Sequence, residues 1–172
     1  MGKNKASVTL NEGDSFKDVA DAINKVFEFT DVQARVISEG VLGAPNNAQE
    51  GESISFELNG VAISYTSTGD YNRDLTLIQN RINAVTTKTN VYVDFVNTGV
   101  SSTLVLHGID GEAIHVGNLS SYSASTVATG GMTFYALESD GSFIGVPITT
   151  DGYTEGIVNG YLELYSGNDF KL

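Results

Sequence analysis

The sequence predicts an α+β fold in which short, mostly antiparallel sheets are each packed by one helix and the C-terminal part is β-rich. An apolar pattern that recurs along the chain indicates repeated units. Within each repeat, the apolar spacing changes from helical to strictly alternating, which predicts a helix followed by a strand. The composition agrees with this fold class. Of the 172 residues, 41% are hydrophobic, 19 are glycine and two are proline, which favours a packed domain with many turns and short strands.

The repeat becomes visible when the chain is shifted by 59 positions against itself. A 21-residue stretch, 16–36, then falls into register with 75–95 without a gap. The aligned pairs are Phe16 with Leu75, Val19 with Ile78, Ile23 with Ile82, Asn24 with Asn83, Val26 with Val85, Val32 with Val91, Ala34 with Val93 and Val36 with Phe95. Such self-similarity favours a scaffold or surface module over a dedicated active site.

The first unit is predicted to be β-α-β. A short strand covers residues 8–10, and a turn leads to Ser15, whose hydroxyl can cap the start of a helix. The negative charge of Asp18 is favourable near the positive end of that helix. Alternating apolar residues over 32–36 predict the next strand. The helix carries an apolar stripe of Phe16, Val19, Ala20, Ile23, Val26 and Phe27. Since only one short strand precedes the helix, we expect a partial copy, completed by residues that this sequence lacks.

The second unit begins after a polar loop over 40–51, which contains Pro45 and marks the first boundary. Its opening is a β-hairpin, because two alternating apolar runs flank Asn59-Gly60, a dipeptide suited to tight hairpin turns. The register that follows pairs Leu58 with Val61, Phe56 with Ile63 and Ile54 with Tyr65. All six side chains then share one face, so the turn and the apolar pattern agree.

The rest of the second unit is predicted as a helix and three strands. The helix turns Leu75, Ile78, Ile82 and Val85 inward, and Val91, Val93 and Phe95 form the next strand. Two further strands, 103–107 and 113–116, are joined by a turn at Asp110-Gly111.

The C-terminal part is predicted to consist of a linker and short strands. Residues 120–131 are rich in Ser, Thr, Ala and Gly and are interpreted as a linker or a loosely patterned strand. Candidate strands follow at 133–137, 143–146 and 161–165. The resulting organisation is a partial β-α-β repeat at 1–48, a complete β-β-α-β-β-β repeat at 49–119 and a β-rich segment at 120–172.

The charge and the composition of the chain argue against several classes of function. The net charge of −12 argues against binding to nucleic acid or to an anionic membrane through bulk electrostatics. The sequence has no cysteine, which excludes disulfides, thiolate metal sites and thiol nucleophiles. No apolar run approaches the length of a membrane span, and the start of the chain lacks the apolar region of a signal peptide.

The two histidines, His107 and His115, flank Glu112 and raise the question of a metal site. Their spacing differs from that of the helical zinc motif. If Asp110-Gly111 is a two-residue turn, they point to opposite faces of one hairpin, so we interpret both as ordinary strand residues. No metal ligand and no cofactor is therefore assigned.

The sequence gives equally little support for catalysis, phosphate binding, calcium binding or glycosylation. No Gly-x-Ser-x-Gly elbow and no phosphate-binding glycine loop occurs, and we expect no catalytic residues. The Asp-Gly pairs at 110, 140 and 151 offer calcium ligands, but Asp-Gly is foremost a turn former. Asn118-Leu119-Ser120 matches a glycosylation sequon, a short pattern that also arises by chance.

The second unit resembles a known repeat. The residues that carry the resemblance are 54–63, with the turn Asn59-Gly60, then Leu75 to Ala84, then 91–94 and 103–116. Over about 52–117 they are similar to the hook IN-type repeat found in the central region of bacterial flagellins and in filament-cap and hook-associated proteins. The resemblance implies a non-catalytic outer domain of an extracellular flagellum, whose partners are other flagellar subunits bound through segments missing here.

Three roles remain open at this point. The first is the outer domain of a flagellin-like filament protein, with a structural and interaction role in motility. The second is the same module in a flagellar cap or hook-associated protein. The third belongs to another class, a module that binds a host receptor or a glycan, and it is suggested by the tyrosines near the C-terminus, Tyr161 and Tyr165 among them.

Overall fold

The structure, a computed structural model, describes residues 5–97, 102–122, 131–137, 142–144 and 155–167. It confirms the α+β class with a β-rich C-terminal part. The helices are α1 (Phe16–Asn24), α2 (Phe27–Thr30), α3 (Tyr71–Asn83) and α4 (Thr86–Thr89). The strands are β1 (Val32–Ile37), β2 (Glu39–Leu42), β3 (Ser53–Leu58), β4 (Val61–Thr66), β5 (Val91–Asn97), β6 (Ser102–Gly108), β7 (Ile114–Tyr122), β8 (Phe134–Leu137), β9 (Phe143–Ile144), β10 (Glu155–Val158) and β11 (Tyr161–Ser166).

The strands form three antiparallel sheets in the described part of the chain. The two-stranded sheet has the order β1-β11, the four-stranded sheet β10-β7-β3-β4 and the five-stranded sheet β5-β6-β2-β8-β9. Helix α3 contacts β4 of the four-stranded sheet and also β5 and β6 of the five-stranded sheet. The main core therefore lies around α3, between these two sheets.

The central residues of this core are those of the predicted second repeat. Ile54, Phe56 and Leu58 of β3 are at most 1% exposed, and the helix residues that face them are fully buried. The cluster comprises Leu42, Ala44, Ile54, Phe56, Leu58, Ile63, Tyr65, Leu75, Ile78, Ile82, Val91, Val93, Leu104, Leu106, Ile114, Val116, Leu119, Met132, Phe134 and Val158. The hairpin register is confirmed, with Leu58 opposite Val61, Phe56 opposite Ile63 and Ile54 opposite Tyr65.

The internal repeat is confirmed in three dimensions at the same offset of 59. In the first copy, the Asn24 side chain accepts from the Ala34 N–H at 2.8 Å and donates to the Ala34 carbonyl at 2.9 Å. In the second copy, Asn83 makes the same two bonds to Val93 at 2.9 and 3.0 Å. Each asparagine side chain thus makes the two hydrogen bonds that a neighbouring strand would make. We call this pair of bonds the asparagine clamp.

The connection between helix and strand is duplicated as well. Thr30 donates to the Val26 carbonyl and accepts from the N–H of Val32, as Thr89 does with Val85 and Val91. The residue after each short helix, Asp31 or Asn90, has a positive φ, 59° and 53° respectively. Asp and Asn tolerate this conformation better than most other side chains, which explains why both copies end the turn in this way.

The first unit gains a strand from the far end of the chain. Residues 161–166 of β11 pair with β1 from Ile37 opposite Tyr161 to Val32 opposite Ser166. In the second copy, β6 pairs with β5 in the corresponding way. Strand β11 thus supplies the neighbour that β6 supplies in the second copy, and the sequence did not predict this pairing because it joins segments about 130 residues apart, which local periodicity does not reveal. The expectation that residues outside this sequence complete the part of the first copy before α1 stays a prediction.

The start of the chain also departs from the prediction. Ser15 caps α1 in a capping box with Asp18, as expected. The predicted strand at 8–10 is absent, and Leu10 is 54% exposed, because this segment pairs with no strand in the described residues. Phe16, placed in the buried stripe by its spacing, is 51% exposed.

The predicted hairpin at Asp110-Gly111 is wrong. These residues lie in a 3-10 turn, Ile109–Gly111, in which Asp110 has a φ of 55°. The turn sends β6 into the five-stranded sheet and β7 into the four-stranded sheet, so the two strands do not pair. Gly111 packs against Val36, where an added Cβ would lie 2.3 Å from the Val36 side chain, so the turn leaves no room for a side chain at this position.

The loop and linker predictions need smaller corrections. Residues 39–42, partly assigned to a polar loop, form β2 in the five-stranded sheet, and the unpredicted strand β10 pairs with β7. Strand β7 extends to Tyr122, so the predicted linker begins inside it, while 123–130 lie outside the described residues. The predicted strands at 133–137 and 161–165 correspond to β8 and β11, and only 143–144 of the third is described. The three-part division at 1–48, 49–119 and 120–172 stays a prediction.

No helix in the described residues is both long and apolar enough to cross a membrane.

Candidate functional site

His107 lies on the outer face of the five-stranded sheet between two carboxylates. Its Nδ1 is 3.1 Å from Glu39 Oε1 on β2, and its Nε2 is 3.4 Å from Asp94 Oδ2 on β5. The ring stacks on Tyr92 with 4.7 Å between centroids and 13° between planes. The two carboxylates approach opposite nitrogens of the ring, so the arrangement joins three strands and does not converge on one point.

His115 lies in the other sheet, near the 3-10 turn. Its Nε2 is 3.0 Å from Glu155 Oε2 on β10, and its backbone N–H donates to the Asn59 side chain at 2.7 Å. The structure therefore separates the two histidines that the sequence places close together. Within the described ranges, no group of three or more His, Cys, Asp or Glu side chains could hold a metal ion. The turns at Asp140 and Asp151 lie outside those ranges.

A buried polar network that the sequence did not indicate fixes the start of α3. Asp74 is 2% exposed and accepts hydrogen bonds from the Ser67 hydroxyl and from both the N–H and the hydroxyl of Thr68. Burial, together with the charges of Asp74 and Glu52, raises the pKa of Tyr65 well above its usual value. The phenol is therefore neutral at physiological pH. The usual capping signal at this helix start is Asp70, whose side chain accepts from the N–H of Arg73, and it does not indicate the contact between Ser67 and Asp74.

A shallow polar pocket of about 530 Å³ lies beside this network. It is lined by the loop 45–49 together with Gly69, Tyr71 and Asp74. Burial raises the pKa of Tyr71, and a hydrogen bond with the Ala44 backbone opposes that shift. Because the Asp74 oxygens already accept three hydrogen bonds from the chain, the pocket is best explained as a by-product of the turn.

The C-terminal tyrosines lie on the outer face of the two-stranded sheet. Tyr165 is 47% exposed, and the Arg35 guanidinium lies 6.0 Å from the centroid of its ring. Arg35 also forms an ion pair with Glu163, whose hydrogen bond raises the pKa of the guanidinium further. Tyr161, Glu163 and Tyr165 alternate along β11 and so share this face.

The candidate sequon occupies an irregular part of β7. Asn118 is exposed, has a φ of 52° and donates to Glu57 Oε2 at 2.8 Å. Leu119, in the middle of the tripeptide, is 7% exposed and belongs to the core. The tripeptide is therefore explained by a β-bulge opposite β3, where the register shifts between Ser55 and Glu57.

Within the described residues, the first unit carries an apolar surface that is only partly covered. Its helix α1 packs on β1 and β11, yet Phe16 is 51% exposed and Val19 and Ile23 are only half-buried. The opposite face of this helix is polar, with Lys17 and Asp21 as an exposed ion pair. We call the half-covered set of Phe16, Val19, Ile23, Leu162 and Leu164 the open face.

A scan of protein-family models finds no match, and neither does a sequence search of curated proteins. Among solved structures, the chain is similar to FliD (HAP2) from Pseudomonas aeruginosa PAO1, at 16% identity over 80% of each chain with a TM-score of 0.32. It is also similar to the D1-D2-D3 domains of the flagellar cap protein FliD from Escherichia coli, at 13% identity over 80% of this chain and 50% of that one, TM-score 0.34. The D2-D3 domains of the Escherichia coli protein match at 14% identity over 78% and 88%, TM-score 0.30.

Proposed function

We propose that this chain is a non-catalytic structural domain of an extracellular bacterial flagellar protein. The support is the second unit, in which a hairpin with an Asn-Gly turn is followed by a helix and two paired strands, as the resemblance over 52–117 implies. The described polar side chains agree with this role. Asp74 holds a helix start, and the two histidines join neighbouring strands with carboxylate partners.

Among the flagellar proteins that carry such a module, we place a cap protein first, before a hook-associated protein or a flagellin. The observation that carries this choice is the open face. A flagellin outer domain that projects freely from a filament has no neighbour to cover exposed apolar side chains, whereas such surfaces typically mark contacts between proteins. With Phe16 at 51% exposure, a position within an assembly fits better than a freely projecting one.

Immunogold electron microscopy of the source cells tests this proposal directly. Antibodies raised against the purified chain are expected to label the distal tip of each flagellum. Label along the whole filament would instead identify a flagellin, and label at the junction of hook and filament a hook-associated protein. Flagella without label, in cells that express the protein elsewhere, would overturn the flagellar role.

One observation favours a second function, the binding of a glycan by the face that carries Tyr161 and Tyr165. The exposed Tyr165 and the half-buried Tyr161 lie beside the Arg35–Glu163 pair, so this face combines apolar rings with hydrogen-bonding groups, as ligand sites typically do. Glycan-array binding that Tyr165→Ala abolishes, and that Tyr92→Ala on the other sheet leaves intact, would support it. Absence of binding to any glycan would remove it.

A further inference from the structure

The sequence contains two Asn-Gly pairs, and their surroundings in the structure differ. Asn59 and Gly60 form the tight turn between β3 and β4, with φ values of 46° and 76°. Asn159 and Gly160 connect β10 of the four-stranded sheet to β11 of the two-stranded sheet, and neither residue has a positive φ. The side chain of Asn59 is half-buried, whereas that of Asn159 is exposed.

The two side-chain amides also differ in their hydrogen bonds. Nδ2 of Asn59 donates to the carbonyls of Thr89 and Ala113 at 2.7 and 3.0 Å, and Oδ1 accepts from the N–H of His115 at 2.7 Å. Within the described residues, the Asn159 amide makes no hydrogen bond, and neither does the N–H of Gly160. The Asn159 amide is therefore free to turn towards the backbone that follows it.

An asparagine side chain that precedes glycine can react with its own backbone, because glycine has no Cβ to hinder the approach. The backbone nitrogen of Gly160 attacks Cγ of Asn159, the bond between Cγ and Nδ2 breaks, and Nδ2 leaves as ammonia with the proton of the attacking nitrogen. Water then opens the resulting succinimide ring. Opening at Cγ gives aspartate, and opening at the backbone carbonyl carbon gives isoaspartate, in which the main chain runs through the former side chain.

We propose that Asn159 is a site of spontaneous deamidation, and that its isoaspartyl product loosens the two-stranded sheet. Asn59 is protected from the same reaction, because its amide must first break its hydrogen bonds to reach the backbone. The co-reactant is water. The product carries an added negative charge, and the isoaspartyl form also has an added methylene in the backbone between β10 and β11.

The connection between β10 and β11 has no room for a longer backbone. A Cβ added at Gly160 would lie 2.8 Å from Cγ1 of Val36 and 2.9 Å from the carbonyl oxygen of Gly111. The next residue, Tyr161, is already opposite Ile37 in the two-stranded sheet. An inserted methylene must therefore displace the start of β11, and we expect the pairing of β1 with β11 to weaken from that end.

Peptide mapping of the full chain by mass spectrometry tests the site. The purified protein is incubated in mildly alkaline buffer, and the peptides that contain Asn59 and Asn159 are followed for the change from amide to carboxyl. We expect conversion at Asn159 to be at least about tenfold faster, since tenfold corresponds to about 1.4 kcal/mol, the net contribution of one or two hydrogen bonds. In concentrated urea, where the turn is unfolded, both positions are expected to convert at similar rates.

Two variants separate the reaction from its structural effect. Asn159→Gln keeps an exposed amide but would have to close a larger ring, so we expect no conversion at this position. Asn159→Asp, used freshly purified, adds the charge without lengthening the backbone. Hydrogen exchange of β1 and β11 is expected to be faster in the isoaspartyl form, separated by chromatography, than in the original chain, and to be unchanged in Asn159→Asp.

The proposal fails if Asn59 and Asn159 convert at equal rates in the folded chain, because the hydrogen bonds of Asn59 would then offer no protection. It also fails if Asn159 stays an amide in buffer while both positions convert in urea. Unchanged hydrogen exchange in the isoaspartyl form, or an equal increase in Asn159→Asp, would contradict the expected effect of backbone length.

Discussion

Asn83→Ala is expected to destabilise the protein although the side chain lies on the exposed side of α3. Asn83 accepts from the N–H of Val93 at 2.9 Å and donates to its carbonyl at 3.0 Å. Because β5 is an edge strand whose other neighbour is β6, these two bonds replace a missing strand at Val93. Alanine removes both bonds and leaves a donor and an acceptor without a protein partner.

The size of the effect follows from the number of bonds and their access to water. A typical intramolecular hydrogen bond contributes about 0.5–1.5 kcal/mol net, so two give about 1–3 kcal/mol. Val93 is 1% exposed, which favours the upper part of that range, while the exposed position of Asn83 lets water reach the vacated site. We therefore expect a loss of about 2 kcal/mol in the free energy of unfolding.

Urea unfolding of the full chain measures this loss. With a slope of about 2 kcal/mol per molar, the midpoint should fall by about 1 M. Asn80→Ala, on the exposed side of the same helix, is the control and is expected to change stability by less than about 0.5 kcal/mol. Equal effects of the two substitutions, or no effect of Asn83→Ala, would refute the view that the clamp stabilises the edge strand.

Two further predictions each compare a buried or crowded position with a more open one. Ile82→Ala should lower the free energy of unfolding in urea by about 2–5 kcal/mol because the side chain is fully buried, and Ile23→Ala should lower it clearly less because its side chain is only half-buried. Equal losses would contradict the difference in burial between the two copies. Gly111→Ala should lower thermal stability more than Gly60→Ala, since both have positive φ, 74° and 76°, but only the Cβ at 111 would collide with Val36. Equal shifts in Tm would show that Val36 yields at no cost.

Local patterns predicted the second unit well because its decisive contacts are close in sequence. The hairpin register follows from Asn59-Gly60 and alternating side chains, and the Asn59 side chain also anchors the turn by donating to the carbonyls of Thr89 and Ala113. The helix stripe of α3 was equally visible in the spacing of Leu75, Ile78 and Ile82. In each case, one strong local signal agreed with the global packing.

One group of errors concerns contacts between distant segments. Strand β11 pairs with β1 although most of the chain separates the two strands. Closing so long a loop costs conformational entropy, and the pairing leaves no periodic pattern in the local sequence. One sequence signal did exist, since Leu162 and Leu164 repeat the spacing of Leu104 and Leu106 at an offset of 58. This shift runs in the opposite direction to the shift of 59, because β11 follows the second copy whereas α1 and β1 precede it, so aligning the first copy with the second does not reveal the pair.

Exposure of Phe16 was missed for a different reason. Helical spacing shows which side of α1 is apolar, but it does not show whether another layer covers that side. In the second copy the hairpin before the helix provides that layer, whereas the described residues before α1, 5–15, contain no strand. The burial of an apolar stripe therefore depends on neighbouring elements that the spacing within the helix does not report.

The comparison of the two copies separates what stabilises this chain from what it offers to a partner. Helix, asparagine clamp and strand are the same in both, so this unit does not need the hairpin to take its shape. With the hairpin, the unit closes into a core whose large side chains are fully buried; without it, the same unit exposes Phe16. Since leaving a large apolar side chain in water forgoes about 1.5–3 kcal/mol of burial energy, any cover over Phe16 would recover part of that energy. The second copy therefore explains the stability of the domain, and Phe16 marks the surface where further cover would add to it.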